Sequence, residues 1–376
     1  MRISAFFMLV SFGLTGGAAH GDDRAIEHAP IGVMGDHYHA KGELMISVRH
    51  MTMRMRDNVQ GSTELSDSQI ISQPNPFAMG NMSTKLSVVP NEMDMRMTML
   101  GLMYAPSDRV TLMGMAMFED KEMSLTTYQG QMPMMGGNGM SSTSMSMGQM
   151  GARSRVGEFD TDSSGLSSIG LSALIRISSN EHFRWHAQIG IENSVGENDV
   201  RGDVLTPMST QRKMILPYGM QSGDDSTSLI TAITGVWTSN AWVFGGQVRR
   251  DTGLGDEMWQ FGDKTSITAW SQRAISDDFS LSLRLNYSDQ DEINGRNTLI
   301  MAPVQTANPL NYGGSSLDIG IGFNWLFHIF SGQSDRIGVE LTRPVHLDLN
   351  GPQMSTDWTL SFGYQKSFRG DRGQSG

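Results

Sequence analysis

The sequence predicts an all-β chain closed into a transmembrane antiparallel β-barrel of about twelve strands, with short turns at one end and long loops at the other. Three observations predict it. Segments of roughly nine to eleven residues alternate apolar and polar side chains, which is the period of a strand and not of a helix. Tight turns alternate with long connections along the chain. Beyond the N-terminal segment no apolar run reaches the roughly 18 residues that a membrane helix needs.

Residues 2–19 carry one arginine, then an apolar core, then Gly17-Ala18-Ala19. They predict a secretory signal cleaved near Ala19, the alternative being an N-terminal anchor helix. Residues 20–41 contain histidines without periodicity and predict a periplasmic segment or a plug. The barrel is expected over 42–368 and a tail over 369–376. The first strand, about 43–55, sets Leu44, Ile46 and Val48 against Met45, Ser47 and Arg49, and Met51, Met53 and Met55 continue the second face. The second strand sets Met93, Met95, Met97, Met99, Gly101 and Met103 against Leu100, Leu102 and Tyr104. After the turn at 106–108, the third sets Met113, Met115 and Met117 against Leu112, Ala116 and Phe118. A low-complexity tract at 131–150 holds too little bulky apolar content for a core.

The fourth strand (166–177) sets Ile169, Leu171, Ala173, Ile175 and Ile177 against Ser168, Gly170, Ser172 and Arg176. The fifth sets Phe183, Trp185, Ala187, Ile189 and Ile191 against Arg184, His186, Gln188, Gly190 and Glu192. Strands at 228–237, 241–249 and 259–271 leave their facing open. The ninth opposes Phe279, Leu281, Leu283, Leu285 and Tyr287 to Ser280, Ser282, Arg284 and Asn286. The tenth opposes Leu317 to Phe327 at odd positions to Asp318, Gly320, Gly322, Asn324 and His328. The eleventh opposes Ile337, Val339 and Leu341 to Arg336, Gly338 and Glu340, and the twelfth places Trp358, Leu360, Phe362, Tyr364 and Phe368 on one face. Tyr104, Trp185, Trp237, Trp325, Trp358 and Tyr364 are candidates for interfacial girdles. An exported β-sandwich is the soluble alternative. The glycines and charges on the polar faces and the loop asymmetry count against it.

The formal charge of -11 argues against a nucleic-acid partner. The absence of cysteine excludes disulfides, thiolate metal sites, a cysteine nucleophile and a lipid anchor on cysteine. Methionine is abundant: 22 of the 31 lie between Met45 and Met150.

Two stretches, APIGVMGDHYHAKGEL at 29–44 and LPYGMQSGDDSTSL at 216–229, resemble the family of outer-membrane transporters named for the meta-cleavage pathway of phenol degradation. The resemblance implies a single barrel over most of the mature chain and a transport role. It carries no established functional residues.

On the polar faces Arg49, Arg176, Arg184, His186, Glu192, Arg284, Asp318, His328, Arg336 and Glu340 would line a hydrated interior. They act there as selectivity groups of an open pore or as salt-bridged pairs of a filled barrel. Met45, Met51, Met53, Met95, Met97, Met99, Met103, Met113, Met115 and Met117 would form one contiguous inner wall. Such a wall is a flexible greasy surface, an oxidisable pool, or a set of soft ligands for Cu(I) or Ag(I), with Met34, His37 and His39 as further ligands. No G-x-S-x-G elbow is present. Asp224-Asp225, and His346 with Asp348, are the only candidates for acid–base work, and loop aspartates are far more often turn-formers. The expected function is a channel or transporter in the outer membrane of a Gram-negative cell for small solutes, hydrophobic ones included, with lipid and solute as partners, no cofactor and no catalysis. A soft-metal binding protein is the alternative and a surface hydrolase the third reading.

Overall fold

A computed structural model describes residues 24–80, 82–131, 153–327 and 333–368. The signal segment, most of the low-complexity tract, His328 and the C-terminal tail lie outside the described residues. In chain order the strands are β1 (Leu44–Gly61), β2 (Thr63–Leu65), β3 (Val88–Ser107), β4 (Val110–Tyr128), β5 (Arg155–Ser179) and β6 (Phe183–Ser194). Then come β7 (Arg201–Leu205), β8 (Gln211–Ile215), β9 (Thr227–Ser239), β10 (Trp242–Leu254), β11 (Trp259–Gln260) and β12 (Lys264–Ala274). Last are β13 (Phe279–Gln290), β14 (Asn294–Gly295), β15 (Gly314–Phe327) and β16 (Gln333–Phe368). Among the described residues one short α-helix, α1 (Asp67–Ser72), follows β2.

Eleven strands form one closed antiparallel sheet, in which each pairs with the next and β16 returns to β1, while β2 sits outside against the end of β1. β16 is 36 residues long and doubles back. Its residues 335–349 pair with β15 and its residues 349–368 with β1. Across the fold Arg343 meets Asp357 at 3.2 Å and Tyr364 donates to Asp335 at 2.6 Å. The wall is thus crossed twelve times, the even number that closure with every neighbour antiparallel requires. Closure leaves no row of unpaired backbone groups along an edge.

Side-chain alternation assigns the two faces of the wall. Ile46, Val48, Leu100, Leu102, Leu112, Phe118, Ile169, Leu171, Ile189 and Leu283 are all exposed on the outside. This apolar belt is the kind that meets lipid in transmembrane barrels. Tyr104, Trp185, Trp237 and Trp325 are exposed in it near the tight turns, whereas Trp358 and Tyr364 are half-buried. Inside, Met45, Met93, Met97, Met103, Met113 and Met123 are buried.

Several strand boundaries differ from expectation: β1 runs on to Gly61, β5 begins at Arg155, not 166, and the expected eleventh and twelfth strands are one continuous β16. The segment at 259–271 is two elements: β12 begins at Lys264, and Trp259 belongs to the two-residue ribbon β11–β14 in the loops. Its indole is 2 % exposed and packs edge-on to Tyr218 at 4.8 Å. Burial of an aromatic among loops, not pairing in the wall, fixes its place. Among the described residues no helix is long and apolar enough to cross a membrane.

Replacing Leu283, central among the outward residues of β13, by arginine is expected to cost about 2–4 kcal/mol of stability in lipid vesicles. Urea titration of the heat-modifiable folded band, with an inward control at Ser282, measures it.

Candidate functional site

The barrel interior holds two distinct structures, one near each end. Near the tight turns residues 25–39 thread across the lumen. Ala25, Ile26, His28, Ala29, Ile31, Val33, His37 and His39 are all buried. The segment makes no sheet, so inward side chains of the wall satisfy its backbone. Arg336 donates to the Ala29 carbonyl at 2.5 Å, and Asn324 and Gln272 both donate to His28 O at 2.9 and 2.6 Å. Gln247 donates to Met34 O at 2.9 Å, and His186 Nε2 donates to Gly35 O at 2.8 Å. Because a carbonyl only accepts, that bond places the His186 proton on Nε2. Glu340 accepts from Gly32 N at 2.7 Å while binding Arg284 at 2.6 Å.

Apolar packing supports these bonds. Ile26, Ala29 and Val33 pack with Val236, Val243 and Trp270. Gly245 admits the Trp270 ring, since a Cβ there would lie 2.1 Å from it. Gly363 likewise admits Ile31, whose Cδ1 would lie 2.5 Å from an added Cβ. Asp36 accepts from Ala29 N at 3.0 Å and pairs with His37 Nδ1 at 2.9 Å. Burial by itself raises a carboxyl, but His37, Arg336 and His28 outweigh it and hold Asp36 well below the usual carboxylate range.

Most of the predicted lumen charges are therefore engaged with this segment. Arg49 donates to Met34 Sδ at 2.8 Å and to Val33 O at 3.4 Å. Arg176 lies over the Tyr38 ring at 5.7 Å, and Arg184 donates to Glu27 O at 3.3 Å. Arg284, Arg336, Glu340 and His186 are in the contacts above. Glu192 and Asp318 stand apart from it: Asp318 accepts from Asn286 at 3.3 Å, and Glu192 lines the wall beside Gly170.

The second structure caps the other end. Loops between β6 and β9, β10 and β12, and β13 and β15 bury Leu216, Tyr218, Met220, Trp259, Ile293, Ile300 and Val304 in one cluster, with Met93 and Met123 of the wall beneath. Tyr218 accepts from Asn297 N at 3.0 Å. Tyr312 accepts from Gly219 N at 2.9 Å and donates to Thr306 O at 2.8 Å. Against this cluster lies a cavity of about 460 Å³, walled by Met123, Leu125, Phe159, Leu205, Met220 and Val304 among others. A second cavity, about 50 Å³, lies between the N-terminal segment and the wall.

Between the two ends runs the methionine wall. Cross-strand register pairs Met45 with Met103 and Met103 with Met113, Met99 with Met117, Met51 with Met97, and Met53 with Met95. Met55 and Met93, which alternation put on this face, and Met123, which the sequence reading did not name, form its last rung beside the loop cap. Met34 and His37 border the small cavity, and His39 Nδ1 faces Glu43 at 3.4 Å. Among the described residues no group of three or more His, Cys, Asp or Glu has the spacing to hold a metal ion. Asp224 is occupied with the loop itself, accepting from Ser226 and from Phe261 N at 2.9 Å, and Asp225 accepts from Asn198. His346 sits exposed on β16.

No protein-family model and no curated protein matches the sequence. Among solved structures, an outer membrane channel from Pseudomonas putida F1 is similar over 90% of this chain and 100% of its own, at 12% identity and a TM-score of 0.52. A Pseudomonas aeruginosa FadL homologue covers 87% and 90% at 7% identity and a TM-score of 0.41. The NanC porin covers 86% and 99% at 9% identity and a TM-score of 0.37. The first likeness establishes the fold: this chain has the closed antiparallel architecture of an outer-membrane β-barrel.

Replacing Arg336 by leucine removes its bonds to Ala29, Asn324 and Gln365 and leaves buried acceptors unmatched. The expected outcome is that proteases cut residues 25–39 at least tenfold faster while the wall still runs as a folded band on unheated gels. Gel shift and mass mapping of the fragments check it.

Proposed function

We propose that the chain is an outer-membrane channel for small apolar solutes, closed on its periplasmic side by residues 24–40. The observation that carries this reading is the cavity of about 460 Å³ under the loop cap. That volume falls within the range of small-molecule sites. Its walls are mostly aliphatic, aromatic and thioether groups, with the hydroxyls of Ser83, Thr161, Thr206 and Thr210 at intervals and Arg212 the one ionisable side chain among them. So few polar groups cannot replace the hydration of a sugar or an ion, whereas an apolar solute leaves water by entering it. The long connections then face the cell exterior and the tight turns the periplasm, the usual orientation of such barrels. A solute would pass from the cavity along the methionine wall, whose flexible side chains adapt to different shapes. Glu192 and Asp318 remain as polar groups of the lumen, while the other predicted charges among the described residues serve to hold the N-terminal segment. Exit requires that segment to move, so it acts as the gate.

Binding of the fluorescent apolar probe N-phenylnaphthylamine to refolded protein tests the entry site. Uptake with micromolar affinity is expected, weakened at least tenfold by Phe159→Asp; absence of binding, or indifference to the substitution, removes the reading. Deleting residues 24–40 is expected to raise single-channel conductance in planar bilayers several-fold over the intact chain.

A further inference from the structure

The small cavity differs from the large one in more than volume. Six methionines border it, Met34, Met45, Met99, Met103, Met113 and Met115, together with Asp36, His37 and Arg49. At about 50 Å³ it is several times too small for an organic solute. It has room for a single ion or one or two waters. The thioethers are not a general feature of this wall: on the same strands the outward positions carry Ile46, Val48, Leu100, Leu102, Leu112 and Phe118. Leucine or isoleucine would fill the inner face with fewer rotamers to freeze. The sulfur is thus confined to the face that looks into the cavity.

Three of these methionines stand side by side. Met45, Met103 and Met113 are direct cross-strand partners on β1, β3 and β4, all buried and packed with Leu174 and Tyr38. Opposed residues of an antiparallel pair hold their Cβ atoms about 5 Å apart, within reach of one shared ion for side chains as long as methionine. His37 enters from the N-terminal segment. Its Nδ1 is 2.9 Å from the Asp36 carboxylate, so Nδ1 carries a proton, and a soft ion that displaces the second proton of the ring would take the Nε2 lone pair. A carboxylate that orients an imidazole from behind is the usual support of a metal-binding histidine. Arg49, the one permanent cation on the cavity wall, is turned onto Met34 Sδ and Val33 O. That removes Met34 from the donor set.

We infer that this cavity is a binding site for one soft monovalent metal ion, Cu(I) or Ag(I), held by the thioethers of Met45, Met103 and Met113 and by His37 Nε2. Thioether and imidazole donors without a thiolate or a ligating carboxylate suit a soft ion of single charge and disfavour calcium, magnesium or zinc. The site does not depend on the transport reading, since the solute cavity lies at the other end of the methionine wall.

Titration of the full mature chain, refolded in detergent, tests it. Ag(I) serves as a redox-inert probe in calorimetry, and Cu(I) is offered in competition with the chelator bicinchoninate. One equivalent of metal is expected to stay with the protein, and Met45→Leu, Met103→Leu and Met113→Leu combined should lower affinity at least a hundredfold. His37→Gln should lower it at least tenfold. A chain lacking residues 131–150 should keep the full equivalent, and a loss there would assign the metal to that tract and overturn the site. Retention by the triple variant, or no retention by the wild type, would equally end the inference. If the triple variant does not refold, copper X-ray absorption of the wild type decides: sulfur scatterers with one imidazole are expected, and a shell of oxygen and nitrogen alone refutes it. Unchanged N-phenylnaphthylamine binding in the folded variants separates this outcome from the fate of the channel reading.

Discussion

A chain that enters a closed β-barrel without joining its sheet brings peptide groups that have no ladder to pair with. Each one buried there without a partner costs about 1–3 kcal/mol, so residues 25–36 can stay only where the wall supplies donors. The wall supplies them as side chains: Arg336, Asn324, Gln272, Gln247, His186 and Arg184 each reach a carbonyl of the segment. These donors stand at inward positions of five strands, β6, β10, β12, β15 and β16, so the segment and the wall fix each other. Removing the segment would leave the same cations and amides facing an aqueous lumen.

This mutual dependence also explains where the sequence was legible. β5, β6, β13 and β15 alternate cleanly because their inner faces meet glycine, small polar groups or charge, and two faces of different polarity make a period of two visible. β9, β10 and β12 hide that period. Their inner faces carry Val236, Val243 and Trp270, which pack on Ile26 and Val33 of the threaded segment, while Ile233, Phe244 and Ile267 are exposed outside. Large apolar side chains stand on both faces there, with Gln247 and Gln272 as inward polar groups among them, so alternation could not tell inside from outside. Trp259 misled for a related reason. An aromatic just ahead of an alternating run reads as its first residue, and only the loop cluster around Tyr218 shows that it belongs elsewhere.

For the candidate charges among the described residues, period-two alternation could assign a side of the wall but not a purpose. Period-two reasoning gives the side of the wall, whereas the partner of Arg49 or Arg336 lies far away in sequence on a segment with no periodicity of its own. The two stretches that resemble a known transporter family turn out to be the two interior structures. Residues 29–44 run through the lumen segment into β1, and residues 216–229 supply Leu216, Tyr218 and Met220 to the loop cap. Both must form unusual backbone paths inside a barrel, which demands particular residues: Gly35 takes a φ of +61° beside Gln188, and Asp225 one of +60°. Strands of a lipid-facing wall accept any alternating apolar set, and so carry little that is distinctive.

Methionine joins the two ends. Along β1 the rungs from Met45 to Met55 span about 33 Å at roughly 3.3 Å per residue, from the threaded segment to the loop cap. A leucine wall of the same length would be as apolar but would offer no donor atom. The thioether is nearly as apolar as a methylene yet carries a polarizable lone pair, so one surface can guide greasy molecules where the lumen is wide and ligate a soft ion where the threaded segment narrows it. Under the two proposals the same residue type would acquire two chemistries from the volume left around it, and that volume is set by where residues 25–39 lie.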